Sequence, residues 1–330
     1  MSELSPPTGG GADAPAPDPV QQMASQSPWR QAARRFGGDG KALLACALVV
    51  LIALMAIVGP TVSPFHYDTL DWQHLAAPPG LHSSHWFGTD RLGRDLFVRT
   101  LYGVRISLLI GLLATAVSVV IGLAWGSIAG YAGGRTDDLM MRFVDVLYAL
   151  PYLFLVIIFA TFFGRGNLVG LFLVIGAVGW LTTARIVRGQ TLALKRREFI
   201  EAARATGVGT PGILWRHVIP NLVGPVALYA TLTIPDMILF ESFLSFLGLG
   251  VQEPLASLGS LINDGAHEMQ SASWMLLAPA LVLSVLLLCF NLIGDGLRDA
   301  LDPSTSVAPR PAQVRRRPAR PRVDPPASEP

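Results

Sequence analysis

A chain of 330 residues that is 51% hydrophobic and only 15% charged, with a mean hydropathy of +0.47, is not an ordinary soluble domain. A soluble core of this length would carry about 25% charge, so the composition points to an all-α protein embedded in a membrane. Cys46 and Cys289 both lie inside apolar runs, which excludes a disulfide framework or a cysteine metal site.

Residues 1 to about 28 are rich in Pro, Gly, Ala, Ser and Asp and show no apolar periodicity, the signature of a disordered tail. The first apolar run starts only at Ala42, too late for a signal peptide. Between them, Trp29 to Phe36 predicts a short basic helix lying at an interface. Charge-free runs then follow at Ala42–Gly59, Ile106–Ala132, Val146–Phe163, Asn167–Ala184 and Ser273–Ile293. Each is close to the roughly 20 residues that a helix needs to cross a hydrocarbon core. Pro60 and Pro64 are expected to end the first.

A sixth run, Leu222–Val251, carries Asp236 and Glu241. Its fifteen Leu, Ile, Val and Phe residues, at roughly −0.5 kcal/mol each, barely offset two acids at about +3 kcal/mol each. Such a helix needs neighbours, and its acids face protein or water. Each acid has two readings: lining for a translocation path, or an interhelical tie. The glycine spacing Gly122–Gly126–Gly130 favours tight helix packing, within the chain or in a dimer.

Six spans put both termini on one side, and twenty Lys and Arg residues gather there against five on the other, Arg91, Arg94, Arg99, Arg105 and Arg165. The positive-inside rule makes the richer side cytoplasmic. The expected domains are a tail with its basic helix at 1–40, a first span with a long outer loop at 41–103, a membrane core at 104–297 and a basic tail at 298–330. In the core, Gly294, Gly296 and Pro303 read as a stop for the last helix, with Asp295, Arg298 and Asp299 as surface ion pairs. The prolines and arginines of Arg310–Arg322 predict a disordered tail leaning on anionic lipid. Nothing aromatic or folded there supports nucleic-acid binding. The loop Gln252–Ala272, with Glu253, Asp264, His267 and Glu268 and no Lys or Arg, is a reasonable docking surface on the outer side, and a lone His267 reads as solvated.

One charged island interrupts the core at 196–221. Glu198 to Thr206 predicts a helix with Phe199, Ile200 and Ala203 on one face. Gly207 suits a left-handed C′ position, and Thr210-Pro211 reads as an N-cap followed by N1 proline. A second short helix runs to about Val218. On its own, such an elbow is also what an ordinary surface helix between spans looks like.

Glu201-Ala202-Ala203, Gly207 and then His217-Val218-Ile219-Pro220 reproduce the spacing of the EAA loop of ABC importer permeases, with His217 in an apolar slot as the one departure. Phe87-Gly88-Thr89-Asp90 and Gly93-Arg94-Asp95 resemble a signature of the C-type subunit of dipeptide, oligopeptide and nickel importers. Gly130-Tyr-Ala-Gly-Gly134, Leu244–Gly250 and Asn291–Pro303 resemble the same family. The resemblance covers Ala42 to Pro303 and implies a type I ABC importer permease fold with no cofactor of its own. It implies a heterodimer with a second permease subunit, two cytoplasmic ATP-binding subunits, an extracytoplasmic binding protein and a bacterial cytoplasmic membrane. In that family the elbow docks on the ATPase, which makes Glu201, Ala202, Ala203, Arg204, Gly207 and Pro220 the coupling residues. The outer-loop signature reads either as a structural plug or as a contact for substrate or binding protein. The substrate implied is a di- or oligopeptide, with nickel or glutathione as alternatives.

Enzyme motifs are missing: the sequence has no Gly-x-x-x-x-Gly-Lys-Ser/Thr, His-Glu-x-x-His or Gly-x-Ser-x-Gly. A polytopic enzyme would need polar residues clustered at one depth, and only scattered acids occur. A secondary transporter would show an internal repeat, and none is visible.

Overall fold

In a bilayer core a helix satisfies every backbone N–H and C=O within its own segment, so apolar runs of this length have few alternatives. The computed structural model describes residues 28–80, 84–164 and 166–301, and these contain eleven α-helices. The expected N-terminal tail, Arg165 and everything past Leu301, including Pro303 and the Arg310–Arg322 run, lie outside the described residues.

Helix α1 (Pro28–Phe36) precedes α2 (Gly40–Val62), whose N-cap Asp39 accepts from the Lys41 N–H at 3.0 Å. Pro60 does not end α2. It sits in the last turn, and the chain leaves the helix at Ser63, with ψ 140° as expected before Pro64. Leu44, Val50, Leu51 and Ile57 of α2 are exposed, the surface of a helix turned toward lipid.

Helix α3 (Leu96–Ala132) begins ten residues before the charge-free run and takes in Arg99 and Arg105. Two local features explain the early start. Asp95 caps the helix by accepting from the Val98 N–H at 2.8 Å, and Arg99 is buried beside Asp90 and the Tyr67 carbonyl. The expected boundary at 103/104 therefore falls inside a helix. At 37 residues α3 is about 55 Å long, far more than the hydrocarbon thickness of about 30 Å.

The expected third span is two helices, α4 (Gly134–Ala149) and α5 (Tyr152–Phe163), bent by 89°. Leu150 stands at the break with ψ 140°, the extended conformation that Pro151 imposes on its predecessor. Helix α6 (Leu168–Lys195) follows, capped by Asn167, whose side chain accepts from the Gly170 N–H at 3.1 Å. The island folds as α7 (Glu198–Ala205) and α8 (Thr210–Ile213). A π-helical turn, Leu214–Val218, joins α8 directly to α9 (Ile219–Phe246). Helix α10 (Leu258–His267), opened by a Ser257–Ser260 capping box, leads to α11 (Trp274–Leu301). Five runs, at 40–62, 96–132, 168–195, 210–246 and 274–301, are long and apolar enough to cross a membrane, and the α4–α5 pair makes a bent sixth.

Helix α3 is the centre of the packing. Its glycines form a groove for α6: a Cβ at Gly126 would stand 2.4 Å from the Ala184 carbonyl oxygen, and one at Gly122 would stand 2.6 Å from Thr183 Cβ. The glycine spacing thus serves packing within the chain. Helix α11 runs through Gly294 and Gly296 instead of stopping, so the expected boundary at 297/298 also falls inside a helix. Both glycines allow close approach: a Cβ at Gly296 would lie 2.5 Å from Ala42 Cβ, and one at Gly294 would lie 2.5 Å from Leu232. This contact brings the start of α2 beside the end of α11. Asp295, Arg298 and Asp299 are exposed and form no salt bridge with one another.

Candidate functional site

The elbow is built on the C-terminus of α7. Gly207 has φ +84°, which L side chains rarely adopt, and there it closes a Schellman turn. The Val208 N–H donates to the Ala203 carbonyl at 3.1 Å and the Gly207 N–H to Arg204 at 2.9 Å. Val208 then packs on a buried cluster of Ile200, Ala203, Ile213, Val218 and Leu222, together with Tyr131 of α3 and Val187 of α6. The cap of α8 is Gly209, one residue earlier than expected, so Thr210 is the first helical residue.

Burial sorts the expected coupling residues. Ile200 and Ala203 face inward, whereas Phe199, expected on the same face, is 41% exposed. Ala203 is therefore a packing residue and is not open to a partner. Arg204 turns back on its own chain, donating from Nε to the Tyr131 hydroxyl at 3.1 Å with its guanidinium over that ring. Outward on the helix stand Glu198, Glu201, Ala202 and Ala205, a stripe at i, i+3, i+4 and i+7, and Arg204, Gly207 and Pro220 are exposed as well. Trp215, on the π-helical turn, is 74% exposed beside Arg216. Sequence reasoning passed over Trp215 and two ion pairs that brace the elbow's base. Arg188 holds Asp137 with two bonds of 2.5 and 2.6 Å, and Arg185 holds Asp145 at 2.7 Å. The Asp137, Arg142 and Asp145 spacing near the glycine turn was the available signal.

The intramembrane acids separate. Asp236, next to Pro235 in α9, is exposed and has no hydrogen-bond or ion-pair partner among the described residues. Glu241 is fully buried and accepts from Ser107 of α3 at 2.6 Å, from Ser245 at 2.8 Å and from Ser242 at 3.4 Å. Ser107 also accepts from the Leu258 N–H at 3.2 Å, so Glu241 ties α3, α9 and α10 together.

The outer-loop signature is almost wholly buried. Gly88, Thr89, Asp90, Gly93, Arg94 and Asp95 are inaccessible, and only Phe87 is half-buried. Asp90 accepts from the backbone N–H groups of Leu92 and Arg94 at 2.9 Å and from Arg94 Nε at 2.6 Å. Thr89 bonds to both sides of the preceding loop, accepting from the Ala77 N–H at 2.8 Å and donating to the His74 carbonyl. Gly93 (φ +77°) lets the Asp71 carbonyl pass where a Cβ would come within 1.9 Å. Arg94 also reaches Glu253 in the α9–α10 connection at 2.8 Å, and this bond holds the Glu253 carboxyl below its usual range, outweighing the opposing desolvation. The acidic loop is thus partly engaged: Glu253 is paired, Asp264 is half-buried and His267 is exposed.

Residues 122–307 match the family described as the binding-protein-dependent transport system inner membrane component. Residues 27–79 match the N-terminal transmembrane domain of oligopeptide transport permease C. The chain belongs to this permease family. The permease is 53% identical over 282 residues to the oligopeptide transport system permease protein OppC of Escherichia coli K12, covering 86% of this chain and 93% of that one. It is 50% identical to the OppC protein of Haemophilus influenzae over 282 residues (86% and 90%). It is 42% identical to the dipeptide transport system permease protein DppC of Bacillus subtilis over 280 residues (84% and 85%). Among solved structures, an inward-facing MetNI methionine ABC transporter aligns at a TM-score of 0.49 with 19% identity, covering 62% of this chain and 96% of that chain. The permease is all-α and multi-pass, as the sequence predicts, and family membership makes it an inner-membrane transport component.

Proposed function

We propose that this permease passes di- or oligopeptides across a bacterial cytoplasmic membrane as one of two permease subunits of an ABC importer. Two ATP-binding subunits grip the elbow from the cytoplasm, and an extracytoplasmic binding protein delivers the substrate. The observation that carries this reading is the outward stripe Glu198, Glu201, Ala202 and Ala205 on a helix braced from behind by three spans. Two small residues flanked by two acids suit a groove on a partner. The chain continues without a break from α8 through the π-helical turn into α9, so a push on the elbow reaches Asp236. Asp236 and its exposed neighbours Leu239 and Phe243 form the face given to the path and the second permease subunit. The peptide substrate is supported by the names of the relatives, and the orientation with both termini inside by the basic residues on the elbow side.

The test is substrate-stimulated ATP hydrolysis by the reconstituted importer, comparing wild type with Glu201→Lys and Gly207→Asp. Glu201 is exposed and its side chain has no hydrogen-bond or ion-pair partner among the described residues, so its variant is expected to insert normally. Both variants are expected to lose at least tenfold of the peptide-stimulated rate and to retain less ATPase in a pull-down. Full coupled transport with partner binding intact would reduce the elbow to an ordinary surface helix.

A further inference from the structure

We propose that Asp71, His74 and His85, in the connection between α2 and α3, form a three-ligand site for a divalent first-row transition ion of the zinc type. The ligand atoms they offer lie within 4.8 Å of one another. Asp71 Oδ2 is 2.8 Å from His74 Nδ1 and 3.7 Å from His85 Nε2. Zinc bonds to nitrogen and oxygen are about 2.0–2.2 Å long, which spaces ligand atoms around a tetrahedron by about 3.4 Å. Side-chain adjustments of about 1 Å bring these three atoms to that spacing.

Each ligand is held from behind. His85 is 3% exposed, and its Nδ1 meets Asp95 Oδ2 at 2.8 Å. That bond assigns the ring proton to Nδ1 and turns Nε2, the ligating atom, toward Asp71. Carboxylate–histidine pairs of this kind orient metal-bound imidazoles and raise their basicity. Asp71 Oδ1 accepts from the Gln73 N–H at 2.9 Å, which leaves Oδ2 for the ion. Asp95 is itself fixed, because its other oxygen caps α3. The close pass of Gly93 over the Asp71 backbone is what brings the carboxylate to the two rings.

The donor set and its surroundings choose the class of ion. Two imidazoles and a carboxylate suit zinc and its neighbours, whereas calcium and magnesium need shells of oxygen. His74 is exposed, and a cleft of about 350 Å³ lined by Asp71, Gln73, Gly93 and Asp95 adjoins the cluster, so the fourth position is open to water. On binding, the ion takes the place of the hydrogen bond between His74 Nδ1 and Asp71 Oδ2, and the neutral ring carries its one proton on Nε2, so that both of those atoms are left to the ion. The bound ion clasps the middle of the loop to the turn that starts α3, independently of what the permease transports.

The experiment is calorimetric titration of the full-length permease in detergent, stripped with a chelator, with zinc chloride alone. One equivalent is expected to bind, with a rise in the unfolding midpoint that the chelator reverses. His74→Ala and Asp71→Asn, both at accessible positions, are expected to weaken binding at least tenfold and to abolish that rise. His66→Ala, which removes a ring paired with Asp68 outside the cluster, is expected to bind as wild type does. Absence of stoichiometric binding overturns the proposal, and so does unchanged affinity in His74→Ala and Asp71→Asn, since the zinc would then sit elsewhere.

Discussion

Glu241 shows how one buried side chain organises several elements. Among the described residues it has no charged partner, and the hydroxyls of Ser107, Ser242 and Ser245 donate to it. Ser245 is shared further, accepting from the Val251 N–H at 3.2 Å where the chain leaves α9. Removing the carboxylate strands these donors in an apolar surround, at about 1–3 kcal/mol for each group left unpaired. Glu241→Ala is therefore expected to lower the unfolding midpoint of the purified permease sharply. Glu241→Gln keeps the shape and one accepting oxygen and is expected to recover most of the loss. If Glu241 instead lines a path for charged substrate, the ranking changes: the glutamine variant keeps its stability and loses transport. Unfolding scans and uptake assays on the two variants separate these outcomes.

At the scale of elements, the groove of α3 makes a matched test. A Cβ at Gly126 meets the Ala184 carbonyl oxygen at 2.4 Å and Val187 Cβ at 2.8 Å, and backbone cannot swing aside. Gly189 of α6 has open space around its would-be Cβ. Overpacking costs about 1–3 kcal/mol, whereas glycine to alanine in an open helix gains up to about 1 kcal/mol. Gly126→Ala is expected to destabilise the permease and Gly189→Ala to leave it unchanged or slightly firmer, measured as midpoints in the same detergent. Equal effects would mean that the α3–α6 contact is looser than the geometry shows. The same glycines mark where the sequence is ambiguous. Gly294 and Gly296 read locally as a helix stop, yet they allow Leu232 and Ala42 to approach, and only the opposing helix decides which meaning applies. Pro151 was legible and was passed over, because counting charges finds an apolar run and ignores the extended residue a proline requires before it. Gly207, in contrast, was readable from its place after a short helix. The turn of Arg204 back onto its own chain was not, since it depends on Tyr131 lying seventy-odd residues away in the chain.

Across the whole molecule, distant segments meet in a charged clasp at the end opposite the elbow. Arg94, from the turn before α3, joins Asp90 and Glu253, and Asp264 of α10 stands near the same arginines. Two acids there respond to pH with opposite sign. Glu253 is held below its ordinary range, chiefly by the Arg94 hydrogen bond, with Arg99 and Arg91 also near. Its contribution is fully present above the unfolded value of about 4.3 and is lost as pH falls through the depressed folded value. Asp264 is pushed up by burial, against the pull of Arg99, Arg91 and Arg94 and reinforced by Glu253. The folded state prefers its protonated form, so the cost of keeping it charged is relieved as pH falls through its raised value. Acidifying from about pH 7 to about pH 3 should first raise the unfolding midpoint and then lower it, with the second limb set by carboxylates of the Glu253 type. Asp264→Asn should flatten the rising limb and leave the fall in place. Glu253→Gln should soften the fall and leave the rise, and the softening should be modest because half of that side chain is exposed and solvent screens the pair. A midpoint that only declines in wild type, with Asp264→Asn unchanged from it, would show that Asp264 is better solvated than its place beside α3 indicates.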